Sequence, residues 1–143
     1  MSVSWPYRLT LPVLFRDLDA YGHVNNAIYL SYLEQARNDC YLRLLGRTDP
    51  LERGKGLDFV VARCEIDYLL PMHHGDAITV VMRPVHAGAS SFSFAYEGLR
   101  QDGALILRAR TVLVSYDWER QAKKPLPEGL AEALLPGIEA PKP

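Results

Sequence analysis

Phe15-Arg16-Asp17-Leu18-Asp19-Ala20-Tyr21-Gly22-His23-Val24-Asn25-Asn26-Ala27-Ile28-Tyr29 sets a carboxylate immediately ahead of a glycine turn and a helix start. A helix N-terminus presents backbone N–H groups with no intrahelical partner and the positive end of the macrodipole, so it can hold an oxygen that is gaining negative charge. Asp19 is the reactive group that this order of residues places beside such a terminus.

Working outward, Asn25 or Asn26 is a helix cap, and Tyr29, Leu33, Ala36, Cys40 and Leu44 recur at helical spacing up to Gly46, a natural stop. The spacing predicts a helix of about five turns. Ile28, Tyr32 and Tyr41 widen its apolar stripe beyond what a surface helix needs, so a sheet is expected to wrap around it. Upstream, Arg8 to Phe15 alternates Leu9, Leu11, Val13 and Phe15 with the intervening residues, a half-buried strand in which Pro12 implies an edge position or an irregularity.

Downstream, the charged Arg47 to Gly56 segment reads as a loop that flanks a cleft. Four strand candidates follow: Leu57 to Leu70, Ala77 to Val85, Ser91 to Leu99 and Ala104 to Tyr116. Their short connections favour antiparallel neighbours. Leu126 to Leu135 is expected to form a short closing helix, and residues 136–143 a frayed tail.

A chain of 143 residues fits a single domain, with its core between about residues 8 and 126. Sixteen Lys and Arg against 17 Asp and Glu, with no basic run, argue against nucleic acid as a partner. No apolar stretch approaches the ~20 residues of a membrane span. Pro6 and Arg8 occupy the place of a signal-peptide apolar segment, so a cytoplasmic location is expected. Cys40 and Cys64 are too few and too far apart for a disulfide framework or metal clip and read as buried thiols.

One strand, one long helix and a run of strands make an α+β layout in which a curved antiparallel sheet of about five strands encloses one central helix. Together with Asp67-Tyr68-Leu69-Leu70-Pro71 and His74-Gly75-Asp76, the segment Phe15 to Arg37 resembles the hotdog-fold acyl-CoA thioesterases of the 4-hydroxybenzoyl-CoA thioesterase type. The most specific element is Asp19-x-x-Gly22-x-Val24 followed by Tyr29. Its Gly22-His23-Val24-Asn25-Asn26 form is similar to the bacterial branch that handles acyl-CoA or acyl-carrier-protein thioesters.

This resemblance implies hydrolysis of acyl-CoA to free CoA and a carboxylic acid, with Asp19 as nucleophile or as general base for water. It further implies an oxyanion held by the Asn26 N–H, with Gly22 permitting a tight approach of chain to substrate. Tyr21, Tyr29, Phe59 and Tyr68, with Tyr32 and Leu33, are candidates to line an acyl tunnel, filling of the core and of a dimer interface being an equal competing role for each, while Ser90 and Ser91 are candidates to meet the attacking water or the pantetheine arm. The segment His86-Ala87-Gly88-Ala89 lacks the basic cluster that precedes this serine in the 4-hydroxybenzoyl-CoA enzyme, which leaves Arg47, Arg53, Arg63 or Arg83 to hold the nucleotide phosphates. A homodimer or homotetramer is implied, with two sheets paired edge to edge. No metal or redox cofactor is expected, coenzyme A being part of the substrate.

Simpler roles compete for several of these residues. Asp19 also suits an Asx turn, and Asp17, two residues earlier, reads as structural. His23 is an acid–base candidate, but no Cys or Ser nucleophile motif surrounds it and a role in orienting the turn is favoured. Glu34 lies eight residues beyond Asn26, roughly 12 Å along the helix, and reads as a surface partner of Arg37. His73 and His74 lack a third metal ligand at a useful spacing. Two other functions fit the same scaffold: a non-catalytic acyl-binding or assembly protein, and a hydratase or dehydratase.

Overall fold

A computed structural model describes residues 3–46 and 58–139. Strand β1 (Tyr7–Pro12) leads through a 3-10 turn (Phe15–Asp17) into helix α1 (Asn26–Leu44). Strands β2 (Phe59–Tyr68), β3 (Ala77–Ala87), β4 (Ser91–Arg100), β5 (Leu105–Asp117) and β6 (Ala122–Lys123) follow, and helix α2 (Leu130–Glu139) comes last. The strands pair antiparallel in the order β1-β3-β4-β5-β2, with β6 added to β5. This is the hotdog arrangement, with six strands where the sequence suggested about five.

Strand periodicity explains how α1 becomes the core. Ile78, Val80 and Met82 on β3 and Phe92, Phe94 and Tyr96 on β4 alternate onto one face and are buried there. Tyr29, Leu33, Ala36, Cys40 and Leu44 of α1, the stripe read from the sequence, are all buried in the same cluster. The Tyr41 ring joins the two layers, with centroids 6.0 Å from Phe92 and 5.0 Å from Phe59 in edge-to-face geometry. Gly46 closes the helix region with φ +63°.

Several local expectations change. The alternation of β1 runs only as far as Val13, and Phe15 is 78% exposed. The Asp17 carboxylate accepts from the Leu14 N–H at 2.8 Å and folds the chain into the 3-10 turn before Phe15 can extend the strand. Arg37 is buried and donates to the Tyr96 hydroxyl at 3.4 Å, so it is no surface partner of Glu34. Cys40 is buried, its thiol pushed up to about 12 by desolvation, whereas Cys64 is exposed because β2 is an edge strand.

Helix α2 begins later than expected and continues through Pro136 to Glu139. Leu130, Leu134 and Gly137 form its buried stripe. A Cβ at position 137 would lie 2.6 Å from Pro84 and 2.7 Å from Trp5, so glycine permits the helix to lie directly on β3. The Arg83 guanidinium donates to the Gly137 carbonyl at 3.3 Å and satisfies the last turn. Docking therefore holds a helix that Pro136 alone would end. The Arg47 to Gly56 loop and residues 140–143 of the expected tail lie outside the described residues.

Candidate active site

The chain between the 3-10 turn and α1 forms a miniature hairpin. The Asn25 N–H donates to the Asp17 carbonyl at 2.9 Å, the Asp19 N–H to the His23 carbonyl at 2.9 Å, and Leu18 bridges Val24. At its tip the Gly22 N–H donates to the Asp19 carbonyl at 3.0 Å, a four-residue turn with Asp first and Gly last. Gly22 has φ +79°, and none of the protein's described atoms lies within 4 Å of a Cβ built there, so within the fold it is backbone conformation that asks for glycine. Buried Val24 anchors the hairpin through its N–H to the Met72 carbonyl at 2.9 Å.

Asn25 is the cap of α1, its side-chain oxygen accepting from the Ala27 N–H at 2.9 Å. The Ile28 N–H turns back to the Asn25 carbonyl at 2.9 Å. Next to these two satisfied donors, the Asn26 N–H has no acceptor among the described residues. Asp19 accepts from the Tyr21 N–H through Oδ1 at 2.9 Å, and its Oδ2 has no donor among the described residues. An Asx turn thus fixes the carboxylate with one oxygen and leaves the other for chemistry. Both Asp19 and Asn26 line a single cleft of about 440 Å³.

The opposite wall comes from the end of β2 and the residues after it: Tyr68, Leu69, Leu70 and Pro71. Tyr68 donates its hydroxyl to the Asn26 carbonyl at 3.0 Å. Its ring lies 5.6 Å from that of Tyr29, whose hydroxyl oxygen accepts from the Met72 N–H at 3.2 Å. Burial raises both phenols above their ordinary value, so they stay protonated where a carboxylate is ionised. Tyr21 and His23 stand at the rim, and the His23 ring meets that of His73 edge to face at 4.8 Å.

A carboxylate with a free oxygen and an unoccupied backbone donor at a helix start, on two residues that line one cleft, is equipment for acyl transfer. The sequence carries the same sign: the model of the thioesterase-like superfamily matches residues 13–134. The chain belongs to the thioesterase-like superfamily. A relative, the long-chain acyl-CoA thioesterase FadM of Escherichia coli (strain K12), is 31% identical over 120 residues, covering 82% of this chain and 88% of its own. The 1,4-dihydroxy-2-naphthoyl-CoA hydrolase of Thermosynechococcus vestitus is 25% identical, with 82% and 81% covered. A solved thioesterase from Thermus thermophilus, complexed with coenzyme A and Zn, matches with a TM-score of 0.80 and 38% identity over 95% of this chain and 97% of that one.

Not every residue singled out in the sequence of this thioesterase-like protein reaches the cleft. Asp19, Tyr21, His23, Asn26, Tyr29 and Tyr68 do, and Gly22 shapes the turn behind them. Phe59 instead packs against Tyr41 and against Phe92 at 4.9 Å. Ser90 lies in the β3–β4 turn and Ser91 opens β4, where it pairs with Val114 of β5, while Tyr68 pairs with Leu107. Seven residues of β5 separate those positions, roughly 23 Å at about 3.3 Å per residue, so within one chain the serines sit far from the cleft.

Of the arginines considered for phosphate, Arg83 is tied to α2, Arg63 is paired with Glu65, and Arg47 and Arg53 lie outside the described residues. Among the described residues, no group of three or more His, Cys, Asp or Glu side chains is placed to hold a metal ion, and no helix is long and apolar enough to cross a membrane. Leu69, Leu70 and Pro71 are wall residues that sequence reading left unassigned, although they continue directly from Tyr68.

Proposed function

We propose that this protein hydrolyses acyl-CoA thioesters to free CoA and a carboxylic acid, with Asp19 acting at the thioester carbonyl. The observation that supports it most is the meeting, in one cleft, of the free Asp19 oxygen and the unpartnered Asn26 N–H. As nucleophile, Asp19 adds to the carbonyl carbon and expels the CoA thiolate, leaving an acyl–aspartyl anhydride that water cleaves to the acid and the free carboxylate. As general base, it takes a proton from water whose oxygen adds to the same carbon, again expelling the thiolate. In both routes the Asn26 N–H supports the oxyanion; the thiolate gains its proton from solvent in the first, and from solvent or the protonated Asp19 in the second.

CoA is favoured over an acyl carrier protein as the carrier because the relatives named above act on CoA esters and the solved Thermus thermophilus thioesterase holds CoA. The scheme needs no resident metal or redox group, and the 4-hydroxybenzoyl-CoA type remains our assignment on the Asp19 to Tyr29 motif. A homodimer or homotetramer belongs to the same proposal, since β2 ends the strand order with Val61 and Tyr68 exposed along it, and a second copy is the route by which Ser90 and Ser91 would join a site. A cytoplasmic location is supported by two cysteines that form no disulfide.

The test is thiol release from short, long and aromatic acyl-CoAs by the wild type and by Asp19→Asn. The proposal expects one or more substrates to be cleaved and the variant to lose at least ~10²-fold. Equal rates in the two proteins would remove Asp19 from the mechanism. Acyl-CoA binding without thiol release would point to a binding protein, and a 3-hydroxyacyl product to a hydratase.

A further inference from the structure

The Asn26–Ala27 peptide, the first of helix α1, is held at both ends. Its N–H donates to the Asn25 side chain at 2.9 Å, and its carbonyl accepts from the Tyr68 hydroxyl at 3.0 Å. The first of these bonds is an ordinary cap made by a neighbour in sequence. The second is made by the last residue of β2, 42 positions away, across the mouth of the cleft. A peptide is a rigid plane, so fixing both of its polar ends fixes the Asn26 Cα from which the preceding peptide departs. That preceding peptide carries the unpartnered Asn26 N–H.

We propose that Tyr68 is a positioning residue: its hydroxyl, by holding the Asn26 carbonyl, aims the Asn26 N–H at the oxygen that becomes negative during acyl transfer. The inference rests on the reading of Asp19 and Asn26 given above and replaces the simpler role of Tyr68 as a wall for the acyl group. Oxyanion stabilisation depends on donors that are already oriented before charge develops, so a small rotation of the first helical turn weakens the step without removing any donor. The ring of Tyr68 is itself braced, 5.6 Å from Tyr29, which the Met72 N–H secures in turn. With the hydroxyl gone, the carbonyl keeps its helical bond and water takes the hydroxyl's place, so the plane loses its tie to β2.

The experiment compares wild type, Tyr68→Phe and Asp19→Asn on decanoyl-CoA, palmitoyl-CoA and benzoyl-CoA, using whichever probe the wild type cleaves fastest. Tyr68→Phe keeps the ring and removes only the hydroxyl of a residue 44% exposed, and its thermal midpoint confirms that it is folded. The expected result is a kcat about tenfold lower, from the loss of one hydrogen bond, with KM within about twofold of wild type.

A kcat within about twofold of wild type, whether or not KM changes, overturns the inference. If Asp19→Asn has lost activity at the same time, the thioesterase reading stands and only the role of Tyr68 falls. If Asp19→Asn is fully active, or no probe is cleaved by the wild type, the reading beneath the inference fails and takes it along.

Discussion

Asp17 and Asp19, separated by one leucine, place their carboxylates in different surroundings. Asp17 is 8% exposed and accepts from the Leu14 N–H at 2.8 Å and the Tyr32 hydroxyl at 2.9 Å, while Asp19 keeps one oxygen free in the cleft. An Asp17→Ala substitution leaves two donors without their acceptor, and a destabilisation of about 1–3 kcal/mol is expected in urea unfolding. Asp19→Asn retains an acceptor for the Tyr21 N–H and changes stability by less than about 0.5 kcal/mol while activity collapses. Stability and activity measured on both variants check this division of labour.

Gly22 is held at φ +79° by the hairpin tip. Since no neighbouring atom opposes a side chain there, Gly22→Ala costs about 1–2 kcal/mol through backbone conformation alone. Asn tolerates the left-handed region better than Ala, so Gly22→Asn recovers part of the loss. Paired thermal unfolding of the two variants checks the order.

Tyr29 serves the cleft wall and the fold together, because its oxygen accepts the Met72 N–H within the buried layer. Tyr29→Phe strands that N–H, with an expected destabilisation of about 1–3 kcal/mol. Hydrogen exchange at the Met72 amide accelerates in the variant, whereas exchange in the distant β4–β5 ladder follows only the global change.

Asp76 is held below the ordinary carboxylate value, first by the Gln101 amide at 2.7 Å and then by the His73 N–H at 2.9 Å. A depressed value in the folded state means that the ionised form is favoured by folding. The stabilisation is complete well above pH 3.8 and is lost as the pH falls through the lowered value. Thermal midpoints from about pH 6 down to about pH 3 are expected to fall more steeply for wild type than for Asp76→Asn. Parallel curves would show that Asp76 takes no part in acid sensitivity.

Sequence reading reached the long helix because its buried residues repeat at a spacing that only a helix aligns, and it reached the turn because Asp19 and Gly22 occupy the two positions that the geometry restricts. It stopped where tertiary contacts override local pattern. Phe15 continues the alternation of β1 in sequence, yet the Asp17 carboxylate turns the chain first. Arg37 carries a surface residue's charge, yet the Tyr96 hydroxyl receives it inside. Pro136 marks a stop that the docking of Gly137 on Pro84 overrides. Tyr68 was legible as aromatic and near the site, but its hydroxyl bond to Asn26 joins positions that no local spacing connects.

The carboxylate and the helix donor of the proposed reaction come from one continuous run, Asp19 to Asn26, whereas Leu69, Leu70 and Pro71 are supplied by a separate stretch beyond β2. Inheritance can therefore act on the two independently. On the proposed reading, drift in the second stretch reshapes the cleft wall while leaving the run that carries Asp19 and Asn26 untouched, which makes residues 69–71 the first place to alter acyl preference by design.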